Sequence, residues 1–80
     1  MAEIKIMEKK WIERFAYNLR VTMEETGVSQ AELARETGLS TGAIARYVSG
    51  ERSPKAYHVG KIAEVLRVRT DDLLGGYHYY

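Results

Sequence analysis

The chain has 80 residues, a net charge of +1, an apolar share of 45% and one proline. That length holds one domain with a modest core, and the apolar content argues against disorder. There is no cysteine, which excludes disulfide staples and thiolate metal sites and fits a reducing cytoplasm. No apolar run approaches the length of a membrane span, and charges occupy Met1 to Lys10 where a signal peptide needs an apolar core.

A net charge of +1 is small for a nucleic-acid binder, but the charges are unevenly spread. Between Thr37 and His58 the charged residues are Arg46, Arg52 and Lys55 against Glu51, while Glu24, Glu25, Glu32, Glu36, Asp71 and Asp72 lie elsewhere. Ordinary surface scatter is one reading of this distribution; a local basic face is the other.

Residues 1–10 alternate Ile4 and Ile6 with charges and read as an N-terminal arm. A frayed terminus is the first reading, with a helix extension or an edge for a second copy as alternatives. Lys5, Lys9 and Lys10 are mixed with Glu3 and Glu8, which weakens the case for a minor-groove arm. The domain proper is expected over 11–75 and a short aromatic tail over 76–80. A first helix should start at Glu8 or Lys10, bury a stripe of Trp11, Ile12, Phe15, Ala16, Leu19 and Met23, and stop at Gly27. Arg14 and Arg20 lie off that stripe, where a solvated charge is the default.

Ser29 to Gly50 spells two short helices and a tight turn. Ser29 and Glu32 have the spacing of a capping box, Leu33 and Ala34 supply a buried edge, and Gly38 suits a sharp turn. Ser40 caps the next helix, Ile44 and Tyr47 return an apolar edge to the core, and Gly50 closes it. The opposite face carries Thr41, Gly42, Ala45, Arg46 and Ser49, small and polar residues that leave a DNA major groove unobstructed. Beyond it, Ser53 and Pro54 mark the start of a fourth helix with Tyr57, Val59, Ile62, Ala63 and Leu66 as its stripe. Thr70, Asp71 and Asp72 open a last short helix, and Leu73 and Leu74 close the core.

The inventory does not support an enzyme. The histidines are His58, on a helix, and His78, in the tail; neither has a metal-ligand spacing, and both read as surface histidines. Asp71 and Asp72 are accounted for as a helix N-terminal pair. Gly38, Gly42 and Gly50 serve as turn, helix face and cap, with no strand ahead of them to make a phosphate loop. No catalytic residue, cofactor, metal ion or small-molecule substrate is expected, and no membrane partner.

The sequence resembles the Cro/lambda-repressor class (XRE type) of helix-turn-helix DNA-binding domains. The match runs through Asn18-Leu19-Arg20, Ser29-Gln30, Glu32-Leu33-Ala34, Gly38-Leu39-Ser40, Ile44, Tyr47, Gly50, Arg52, Pro54, Lys61-Ile62-Ala63 and Leu66. The resemblance implies an all-α, compact five-helix lambda-repressor-like domain with the helix-turn-helix at helices 2 and 3. It also implies sequence-specific binding of double-stranded DNA by a bacterial or phage repressor or Cro-like switch. The binding unit would be a homodimer on a palindromic operator, its recognition helices about 34 Å apart. By position in the motif, Thr41 and Arg46 resemble base-reading residues, with Ala45 beside them, and Arg46 has the donors to grip guanine. Gly42 stands where many relatives carry a base-contacting side chain, so this chain has fewer direct readers. Gln30, Ser40, Ser49, Arg52 and Lys55 resemble phosphate contacts that fix register; Arg52 has the equal alternative of pairing with Glu51 or bracing the core. A protein-interaction module (an antitoxin or adaptor) on the same fold, or the amino-terminal piece of a longer regulator, are the other readings.

Overall fold

The computed structural model describes residues 2–75, with side chains from residue 9 onward. The chain folds into α1 (Ala2–Thr26), α2 (Gln30–Thr37), α3 (Thr41–Ser49), α4 (Ala56–Leu66) and α5 (Thr70–Leu74), and no strand occurs among the described residues. The expected all-α, five-helix architecture is therefore what the chain adopts. α1 packs on α3 and α5, α2 packs on α3 and α4, and α4 packs on α5.

Local chemistry sets most of the boundaries. The Ser29 hydroxyl accepts the Glu32 N–H at 3.1 Å and the Glu32 carboxylate accepts the Ser29 N–H at 3.2 Å, a complete capping box. Gly38 ends α2 at φ 77° with its N–H on the Ala34 carbonyl, a left-handed conformation that glycine takes without steric penalty. Two residues later the Ser40 hydroxyl accepts the Ala43 N–H at 3.0 Å and α3 begins. Gly50, at φ 81°, closes α3. α4 ends without a glycine: Arg67 adopts φ 59°, the non-glycine positive φ among the described residues.

The core is one cluster: Phe15, Leu19 and Met23 of α1, Leu33 and Ala34 of α2, Ile44 and Tyr47 of α3, Val59, Ile62, Ala63 and Leu66 of α4, and Leu73 of α5. Each fully buried Phe, Leu or Ile contributes about 1.5–3 kcal/mol relative to exposure, an upper bound where the denatured chain is already collapsed. Thr37 is also buried; its hydroxyl donates to the Leu33 carbonyl at 2.6 Å and accepts the Leu39 N–H at 3.2 Å, so it is satisfied.

Several sequence expectations are corrected. α1 starts at Ala2 rather than at Glu8 or Lys10; of the alternatives for residues 1–10, a helix extension is what the described backbone forms from residue 2. Trp11 is 48% exposed although it sits on the apolar stripe. The α1 members of the core cluster are Phe15, Leu19 and Met23, and Trp11 lies one turn ahead of the first of them. The Arg14 guanidinium lies over the Trp11 ring at 5.1 Å instead. Tyr57 is 67% exposed, because Val59, Ile62, Ala63 and Leu66 define the inward face of α4 and Tyr57 falls off that period. α4 begins at Ala56, after an extended Lys55, rather than at the Ser53-Pro54 signal. The aromatic tail, 76–80, lies outside the described residues.

Candidate nucleic-acid interface

α3 presents two distinct faces. Ala43, Ile44 and Tyr47 are buried, while Thr41, Gly42, Ala45, Arg46 and Ser49 are exposed. The buried face is held from several directions. Tyr47 has no exposed surface and meets the Phe15 ring edge-on, with centroids 5.8 Å apart and an interplanar angle of 88°. Its hydroxyl lies 2.6 Å from Nδ1 of half-buried His58; with the imidazole proton on Nε2, the phenol donates and the ring nitrogen accepts. His58 is therefore a link between α3 and α4 rather than a solvated surface histidine.

At the other end of α3, Arg20 Nη1 donates to the Val48 carbonyl at 2.7 Å. The expected solvated arginine is thus a tie from α1 to the negative end of the α3 dipole, a favourable place for a cation. Asn18 does the corresponding work at α5: its Nδ2 donates to the Leu73 carbonyl at 2.8 Å and to the Gly75 carbonyl at 3.0 Å. None of these pairings is assigned by sequence periodicity. The available signal is the Asn18-Leu19-Arg20 segment itself, which belongs to the motif match.

The residues expected at the interface are all solvent-exposed. Thr41, Ala45 and Arg46 share the open face of α3. Gln30 is the first residue of α2, and Ser40 is the N-cap of α3. Ser40 accepts the Ala43 N–H and keeps its own hydroxyl proton for another acceptor. Arg52 and Lys55 lie in the segment between α3 and α4. Among the described residues Arg46, Arg52 and Lys55 have no ion-pair or hydrogen-bond partner for their charged groups. The alternative of Arg52 pairing with Glu51 is not the arrangement present. Glu51 instead accepts the Ser49 hydroxyl at 2.7 Å, and that hydroxyl also lies 3.1 Å from the Arg46 carbonyl. Ser49's single proton is committed there, beside a carboxylate, so a phosphate contact requires that bond to be released.

Charge and dipole act together on the open side. α3 has no acidic residue in its first turn, so its positive N-terminal end is uncompensated within the helix. Arg46 folds back toward that end: a Cβ placed on Gly42 would stand 3.2 Å from Arg46 Nη1. The result is an outward-facing positive spot with small neighbours, suited to an oxygen- or nitrogen-rich acceptor surface such as a phosphate or the guanine edge.

A capped helix, a left-handed glycine turn and a second capped helix with one face buried and one face open define a helix-turn-helix DNA-binding domain. The helix-turn-helix family model HTH_3 matches residues 19–73, and the chain belongs to that XRE-type family of DNA-binding transcription regulators. Among solved structures, the chain is similar to the SOS-response transcriptional repressor LexA from Eubacterium rectale, studied in solution. The two are 21% identical with a TM-score of 0.78, over 89% of this chain and 76% of that one, a likeness of fold. No match to a curated protein emerges. No helix among the described residues is long and apolar enough to cross a membrane.

Proposed function

We propose that this protein is a sequence-specific double-stranded DNA-binding regulator of the bacterial or phage repressor or Cro-like kind, acting in the cytoplasm. α3 enters the major groove, where Thr41 and Arg46 meet base edges and Ala45 packs against them. Gln30, Ser40, Arg52 and Lys55 meet phosphates on either side and fix the register, with Ser49 as a further phosphate contact once Glu51 releases it. Two copies bind a palindromic operator as a homodimer. The observation that carries this reading is the open face of α3: Arg46 is exposed and without an intramolecular acceptor among the described residues, while the opposite face is anchored through Tyr47 and Val48.

The interaction-module alternative needs apolar anchors on α3. Among the described residues the large exposed apolar side chains are Trp11, Tyr17 and Tyr57, on α1 and α4, which favours DNA as the partner of α3. Selection of bound sequences from a random duplex library at fixed salt tests the proposal. A two-fold symmetric consensus is the expected result. Recovery of unenriched sequence, with binding that follows salt alone, would leave only the phosphate-driven component and refute specific recognition.

A further inference from the structure

We infer that Gly42 is a specificity-determining residue of α3 that acts through Arg46: it provides a bare shelf on which the Arg46 guanidinium lies over the first turn of the helix. The inference rests on the reading of α3 as the DNA-recognition helix and deepens it. In a helix the side chain at i+4 runs back toward the N-terminus and over position i, so the path of Arg46 crosses residue 42. With glycine there, Nη1 sits 3.2 Å from where a Cβ would be, closer than ordinary van der Waals contact. An alanine would make the guanidinium shift by a few tenths of an ångström; any longer side chain would take its place.

Nothing among the described residues accounts for this placement electrostatically. The guanidinium lies toward the positive end of the α3 dipole, with no acidic residue in the first turn and no hydrogen-bonding or ionic partner among the described residues. Gly42 also makes α3 a weaker helix than alanine would. Both features fit a group held ready for an external acceptor. The N-terminal residues of a recognition helix are those that reach base edges, and Arg46, rooted in the second half of α3, reaches that region by lying along the helix. Glycine at position 42 thus gives up one direct contact and places another.

The position makes a specific coupling testable. Gly42→Ala, Gly42→Leu, Arg46→Ala and the double variant Gly42→Leu/Arg46→Ala are compared with wild type by library selection and by affinity for cognate and random duplexes. Arg46→Ala is expected to relax one base position per half-site by about tenfold, within the range for a lost bidentate guanine contact. Gly42→Leu should relax the same position by a similar factor, Gly42→Ala by less. In the Arg46→Ala background, Gly42→Leu should have no further effect on discrimination, the signature of one shared interaction. Melting temperatures of the Gly42 variants should equal or exceed wild type, since alanine and leucine favour the helix.

An unchanged base preference in Gly42→Leu, or an effect of equal size with and without Arg46, overturns the inference; the latter would mean that leucine simply obstructs DNA. A second readout is independent of DNA. Nuclear Overhauser contacts between the Gly42 α-protons and the Arg46 side chain are expected in the free protein. Their absence overturns the shelf. If wild type shows no base preference while the contacts are present, the functional proposal fails and the intramolecular placement of Arg46 stands.

Discussion

Replacing Tyr47 by phenylalanine removes one oxygen from the centre of the protein and isolates the tie between α3 and α4. Tyr47 is fully buried, and its ring packing against Phe15 is retained in the variant. What is lost is the 2.6 Å contact between its hydroxyl and His58 Nδ1. A net intramolecular hydrogen bond contributes about 0.5–1.5 kcal/mol, and leaving a buried partner unsatisfied adds to the loss. His58 is only half-buried, so water can replace part of the contact; the expected destabilisation is about 1 kcal/mol. For a domain this small that lowers the melting temperature by roughly 4–8 °C. Thermal denaturation followed by circular dichroism at 222 nm measures it. A cycle with His58→Ala should show the two substitutions to be less than additive, with a coupling of about 0.5–1.5 kcal/mol. A Tyr47→Phe protein that melts with wild type, or a strictly additive cycle, would return His58 to the role of a solvated surface histidine.

Ile44→Ala should destabilise by about 2–5 kcal/mol through lost burial and the cavity left between α3 and the core; a melt shifted by less than a few degrees would contradict the packing of α3. Arg67→Gly should raise stability by roughly 0.5–1 kcal/mol, because Arg67 closes α4 at φ 59° where glycine is unstrained; an unchanged or lower melting temperature would contradict it. In sedimentation at micromolar concentration the free protein should be largely monomeric and pair only on DNA. A tight dimer lost on deleting residues 77–80 would overturn that expectation and identify the contact surface.

The helix-turn-helix was legible in the sequence because its signals are local. Ser29 and Glu32 are three residues apart, Ser40 and Ala43 likewise, and Gly38 and Gly50 mark left-handed closures that few other residues favour. The open face of α3 follows from helical period alone. What was not legible depends on partners distant in sequence: Asn18 with Leu73, 55 residues away, Arg20 with Val48, 28 away, and Tyr47 with His58, 11 away. No period relates such positions, so Arg20 and His58 read as solvated. Trp11 misled for a related reason: periodicity identifies the stripe, but not how far along α1 other helices reach to cover it. The Ser53-Pro54 cap signal is a weak local preference, and the observed start of α4 at Ala56 shows tertiary placement overriding it. Arg67 carries no left-handed signal, since the closure it makes is a glycine position by propensity. At the candidate interface, the exposure of each expected contact residue was readable, whereas the Ser49–Glu51 bond and the Arg46 path over Gly42 emerge only from side-chain placement.

Reading and gripping separate most directly in a comparison of Arg46→Ala with Lys55→Ala on cognate and random duplexes across a salt series. Arg46→Ala should lose about 1–3 kcal/mol on the cognate site and much less on random DNA, with preference relaxed at one position of each half-site. Lys55, exposed at the N-cap of α4 and unpaired among the described residues, should contact phosphate. Its removal should weaken both duplexes alike and lower the salt slope by about 1 per site. If both substitutions reduce cognate and random affinity in the same proportion, Arg46 is only another phosphate contact, direct readout rests on Thr41 alone, and sequence-specific recognition by α3 is contradicted.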